Sequence, residues 1–159
     1  MSIADQMGTV LEFTSESVNI KERLDFSCAV FDASGALVAN APHMPVHLGS
    51  MGESVKSVID KHGKSMKPGD AYILNSPYSG GTHLPDITIV KPVFIKNSNT
   101  ILFYTATRGH HADIGGKSPG SAPSDSQNIH EEGVIIDNLK LVSKEKFNES
   151  AMRKLLESG

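Results

Sequence analysis

Two strand-like apolar runs, Ile87–Ile95 and Ile101–Thr107, stand either side of the turn signal Asn97-Ser98-Asn99. Paired as a hairpin, they would bring their outer ends to the same edge of a sheet. Those outer ends are Gly80-Gly81-Thr82-His83-Leu84-Pro85-Asp86 and Arg108-Gly109-His110-His111-Ala112-Asp113. His83 and His110 lie 27 residues apart (110 − 83), which is room for one strand to run out and the next to return. Imidazole nitrogen and carboxylate oxygen are donors for a borderline divalent metal, and strand ends hold such donors in fixed geometry.

The rest of the chain reads as α+β, with mostly antiparallel strands joined by hairpins and a few helices. Residues 1–17 have weak helical character. Phe26–Ala39 is expected to form a hairpin around Ala33-Ser34-Gly35. Leu48, Met51, Val55, Val58 and Ile59 recur at spacings of three and four, which predicts a helix over 47–63 ending at Gly63. Lys67-Pro68-Gly69-Asp70 launches a short strand, 71–75. Pro92 within 87–95 implies an edge, a bulge or a break there. Residues 115–128 form a long irregular loop, a final strand is expected over 133–142, and a one-sided helix opens at 148–157. That last helix has little to pack against, so the chain is expected to be one domain that is part of a longer protein.

Composition excludes several classes. At 159 residues, with 38% hydrophobic and 21% charged residues, the chain is an ordinary globular domain. A net charge of −3, with no Lys/Arg stripe, argues against nucleic-acid binding. No apolar run approaches 18 residues, and the single cysteine, Cys28, sits inside an apolar strand pattern. The expectation is a soluble cytoplasmic protein with no membrane partner and a buried, inert thiol. No GxxxxGK[ST] loop is present, so nothing advertises nucleotide binding.

His83 and Asp86 would face opposite sides of a regular strand, but Pro85 can bend the backbone and bring them together. A histidine beside a turn is ordinarily a hydrogen-bonding residue; the second cluster makes a ligand role the stronger reading. His110 and His111 are adjacent, and alternation on extended backbone lets only one of them face a given site. They therefore compete for one ligand position, and the other would orient substrate or carry a proton. Pro45 places His43 outside the predicted helix, whereas His47 stands at its start and either caps it or walls the active site. The segment 19–27, with Lys21, Glu22, Arg23 and Asp25, reads as a solvated charged turn.

Three long segments carry a family resemblance: SVNIKERLDFSCAVFDASGALVANAPHMPVHLGSM (17–51), PGDAYILNSPYSGGTHLPDITIVKPVF (68–94) and ATRGHHADIGGKSPGSAPSDSQNIHEEGVII (106–136). Together they resemble the hydantoinase B/5-oxoprolinase B-subunit family, over about residues 17–141, with related large subunits in acetone and acetophenone carboxylases. The resemblance implies the N-terminal portion of a hydantoinase B-like protein. It also implies ATP-dependent hydrolysis of cyclic amides, such as a lactam or hydantoin. A hydantoinase A-like ATPase partner would use the ATP, and no nucleotide would bind here. By resemblance to the family's metal centres, His83, Asp86 and His110 are the expected ligands of a divalent ion (Mn, Zn or Fe), with His111, Asp113 and His47 lining the site. Ser76 stands where the family pattern suggests an acidic residue, NDPY, so one carboxylate near the site is expected to be missing. Two other readings stay open: a non-catalytic docking fragment of such a complex, and a component of an acetone-carboxylase-like enzyme.

Overall fold

A computed structural model describes residues 2–41, 43–44, 47–120 and 123–157. Pro45 and part of the 115–128 loop (121–122) lie outside these. The framework is one seven-stranded sheet in which every pairing is antiparallel. The strands are β1 (Phe26–Asp32), β2 (Leu37–Asn40), β3 (Ala71–Leu74), β4 (Asp86–Phe94), β5 (Ile101–His110), β6 (Leu139–Ser143) and β7 (Lys146–Phe147), in the spatial order β2-β1-β5-β4-β3-β6-β7. The helices are α1 (Ile3–Thr14), α2 (Val18–Lys21), α3 (Leu48–His62) and α4 (Glu149–Leu156). The expected α+β, largely antiparallel architecture is therefore present.

Both faces of the sheet are covered. α3 lays Met51, Val55 and Val58 on one face, against Ala29, Phe31, Tyr72, Leu74, Val90, Tyr104 and Ala106. On the opposite face α1 packs Ala4, Met7 and Leu11 over Phe26, Cys28 and Val30. Further along that face, Ile114, Val134, Ile136 and the α4 residues Met152 and Leu155 cover Ile73, Ile87 and Ile89. Burial on both sides explains why β1 reads as an unbroken apolar run rather than an alternating one. Cys28 is fully buried within this packing, and burial pushes its thiol up to about 12, which leaves it an unreactive core residue. No helix among the described residues is long and apolar enough to cross a membrane.

Pro92 sits inside β4 opposite Tyr104 of β5, at the edge its sequence implied and just before a register irregularity at Val93/Phe94. It is tolerated because β3 pairs only with Thr88–Val90, so beyond Val90 that side of β4 is already an edge. Other local expectations need correction. The strand expected over 133–142 is confined to Leu139–Ser143. Gly133 (φ 146) and Asn138 (φ 49) break the extended run. Between them Ile136 is fastened to Asn75 and Ser76 by single hydrogen bonds rather than a ladder. The polar stretch before β1 contains α2, and β7 is a two-residue strand with no sequence signal.

Candidate metal centre

The hairpin places Asp86, the first residue of β4, opposite His110, the last of β5. Alternation then assigns faces. Tyr104, Ala106, Arg108 and His110 share the α3 side of β5, as Val90, Thr88 and Asp86 share that side of β4. A turn closed by the Asp86 N–H donating to the His83 carbonyl (2.9 Å) swings His83 back over the end of β4. The bend at Pro85 thus overrides the strand periodicity that would have separated His83 from Asp86.

The result is a compact group. His83 Nδ1 lies 2.9 Å from Asp86 Oδ2 and His110 Nδ1 lies 2.9 Å from Asp86 Oδ1. The two imidazoles are 5.1 Å apart between centroids. One ligand atom from each of His83, Asp86 and His110 lies within 4.8 Å of the others. Asp86 is buried, and burial is the largest influence on its carboxyl and opposes ionisation. Hydrogen bonds from Thr82 (2.5 Å), His110 and His83 outweigh it and hold the group below the usual carboxylate range. An ionised carboxylate flanked by two imidazoles fits a borderline divalent ion: such an ion would take the place of the two protons now shared between nitrogen and oxygen.

His47 begins α3 and makes no side-chain cap; its ring turns into the sheet instead. Its Nε2 is 3.9 Å from Asp86 Oδ1 and 3.7 Å from Asp25 Oδ1. The Ser27 hydroxyl donates to the Met44 carbonyl (2.6 Å), and His47 Nδ1 lies 3.4 Å from the same oxygen. Burial lowers the His47 pKa, with Asp86 and Asp25 offsetting it only in part.

Residues 1–159 match the Hydantoinase B/oxoprolinase family. The chain belongs to that family. It is 52% identical to the 5-oxoprolinase of Dictyostelium discoideum over 159 residues, which is all of this chain and 12% of that relative. It superimposes on the ATP-dependent caprolactamase of Pseudomonas jessenii with a TM-score of 0.86 at 32% identity, over 98% of this chain and 26% of that one. A nucleotide-free acetone carboxylase shares the fold (TM-score 0.84, 19% identity, 98% of this chain and 20% of that one). The chain thus spans about an eighth of the length of the 5-oxoprolinase it matches.

In this hydantoinase B-like chain the other expected residues are placed differently. His111 is half-buried, with its N–H bonded to the Pro85 carbonyl (2.9 Å), and it supplies no donor to the group. Burial, and then the neighbouring His110, lower its pKa. Asp113 is exposed, and its Oδ1 accepts from the Gly115 N–H (2.9 Å). Ser76, where the family pattern suggests an acid, is buried; its N–H bonds to the Ile136 carbonyl. His62, outside the site, stacks on Tyr72 and bonds the Asn138 carbonyl.

Asp25, in the charged segment expected to be a solvated turn, is instead drawn toward the site. Leu24 takes φ 53, a left-handed conformation uncommon for such a residue. The turn it makes sets the Asp25 carbonyl to accept from the His110 N–H (3.0 Å) and its carboxylate beside His47. Within a charged run nothing in the sequence singles out Asp25; only the pairing of β1 with β5 does so.

The loop that delivers His83 is fixed by Gly80. It has φ 84, and a Cβ there would lie 2.4 Å from the Ser54 nitrogen and 2.5 Å from the Glu53 carbonyl carbon of α3. Gly80→Ala is expected to cost about 2 kcal/mol or more, from the strained backbone and the clash together. Denaturant unfolding checks this; a loss below about 0.5 kcal/mol would mean the loop is free to move off α3.

Proposed function

We propose that this chain is the metal-site component of an ATP-dependent cyclic amide hydrolase of the N-methylhydantoinase/5-oxoprolinase type. It would open a lactam or hydantoin ring activated by a hydantoinase A-like ATPase subunit, in the cytoplasm, without binding ATP itself. The observation that carries the reading is the His83–Asp86–His110 group at the joined ends of β4 and β5. The names of two relatives, 5-oxoprolinase and ATP-dependent caprolactamase, support the substrate class and the ATP requirement.

In this reading His83, Asp86 and His110 hold a divalent ion (Mn, Zn or Fe), and Thr82 orients the carboxylate. Bound there, the ion would act as a Lewis acid toward the activated amide and lower the pKa of a coordinated water. His47, held neutral by burial with its Nε2 3.9 Å from Asp86, takes up a proton from the attacking water. His111 stands behind His110 and excludes solvent, while Asp113, on the exposed side, lines the approach for substrate. Ring opening requires a proton at the leaving nitrogen, which protonated His47 can return.

Elemental analysis of the purified chain tests this, with His83→Ala, His110→Ala and His111→Ala beside wild type. About one equivalent of metal is expected in wild type and His111→Ala, and little in the other two. Equal retention by all four proteins, or none even after metal supplementation, would overturn the metal reading. Mixed with its ATPase partner, the complete protein should release ring-opened product and phosphate only when ATP and metal are both present.

A further inference from the structure

Arg108 is fully buried, yet among the described residues it has no carboxylate within ion-pairing distance. Its five N–H groups go instead to five neutral acceptors. Nε donates to Thr88 Oγ1 (2.7 Å). Nη1 donates to the His47 carbonyl (3.4 Å) and to Ser50 Oγ. Nη2 donates to Ser54 Oγ (2.7 Å) and the Gly80 carbonyl (3.1 Å). A guanidinium presents all five donors in a rigid planar fork, so satisfying every one of them leaves its neighbours little freedom.

Each acceptor belongs to a segment that carries a site residue. Thr88 is two residues beyond Asp86 on the same face of β4, and Arg108 is itself two residues before His110 on β5. The His47 carbonyl and Ser50 belong to the start of α3, and Gly80 opens the loop that ends in His83. Burying a cation without a counter-ion beside it is costly. A Leu or Met would pack here without that cost, so ordinary core packing does not account for an arginine.

We infer that Arg108 is the positioning residue of the centre, clamping α3, the 77–83 loop, β4 and β5 in one arrangement so that His47, His83, Asp86 and His110 converge. The clamp lies one strand row beneath the donors and touches none of them through a side chain. It works through backbone and hydroxyl acceptors. The metal-dependent part of this inference rests on the function proposed above; the positioning part does not.

The test uses the full chain and Arg108→Lys, which keeps the charge and loses the fork. Imidazole NMR resonances are assigned in the metal-free protein, and Zn²⁺ and Mn²⁺ are then titrated in. The expected result is displaced resonances for His47, His83 and His110, unmoved ones for His62 and His130, and metal binding weakened about ten- to a hundredfold. Wild-type resonances and affinity in the variant would overturn the inference, as would displacement spread evenly over all the histidines, the mark of a general structural role. If wild type takes up neither ion while the three site histidines still move, the metal function fails and the clamp stands. Should Arg108→Lys not fold, Thr88→Val removes only the Nε acceptor. It should shift the same three histidines by a smaller amount, and no shift would again overturn the clamp.

Discussion

Asp86→Asn is expected to empty the proposed metal centre, weakening divalent-ion binding by about a hundredfold or more while the chain still folds. The carboxylate is the one member of the group that faces both imidazoles, offering a separate oxygen to His83 and to His110 at 2.9 Å each. Asparagine keeps the volume but has one acceptor oxygen and no charge, so one ring must face an amide N–H₂. Circular dichroism should stay near wild type, because the Asp86 backbone bonds to His83 and β5 are untouched. Metal content within about threefold of wild type would remove Asp86 from the ligand set. Ligand protonation adds a pH dependence. Both imidazoles and the carboxylate must be unprotonated to hold an ion, so metal retention should hold at neutral pH and be lost in acid, with the depressed Asp86 carboxyl the last of the three to protonate.

Asp70→Ala should cause the largest loss of stability, about 3–4 kcal/mol at pH 7. Asp70 is fully buried at the turn into β3 and accepts from the Lys67 N–H (3.0 Å), the Lys144 N–H (3.0 Å), Lys140 Nζ (2.7 Å) and the Tyr72 hydroxyl (3.3 Å). Those bonds tie the 67–70 turn to the β6–β7 hairpin, and alanine leaves two part-buried backbone donors and a cation without their acceptor. Burial is the largest influence on this carboxyl and acts to raise its pKa; the Lys140 ammonium and the two backbone N–H groups overcome it, so the pKa is lowered. A depressed folded-state pKa means the contribution is complete above the unfolded value of about 3.9 and is lost as pH falls through the folded value. Urea midpoints of wild type and Asp70→Ala should therefore stay a constant distance apart from pH 5 to 8 and converge below about pH 4. A gap under about 1 kcal/mol at pH 7 would show that the network contributes little, and one that persists undiminished at pH 3 would show that its stabilisation does not depend on the ionised carboxylate.

Where sequence reasoning succeeded, the signal was local. The helix at 48–62 followed from apolar spacings of three and four. The β1–β2 and β4–β5 hairpins followed from turn residues between apolar runs. Where it missed, the cause was tertiary. The 133–142 run looked continuous because its apolar residues pack over the sheet, which constrains burial without requiring a ladder. Asp25 looked like solvated charge because its neighbours are charged, and Arg108 was passed over because arginine is ordinarily a surface residue.

By itself the sequence determined the hairpin and therefore the meeting of GGTHLPD with RGHHAD, since turn chemistry and strand length act over neighbouring residues. It could not rank His110 against His111 from spacing alone. The register does so geometrically: His110 pairs with Asp86 on the α3 face, and alternation turns the next residue away. Nor could it assemble Asp25, His47 and Arg108 around that pair. Those residues come from the turn before β1, the position before α3, and β5, and they meet only because that helix and the strands pack against each other over the same stretch of sheet.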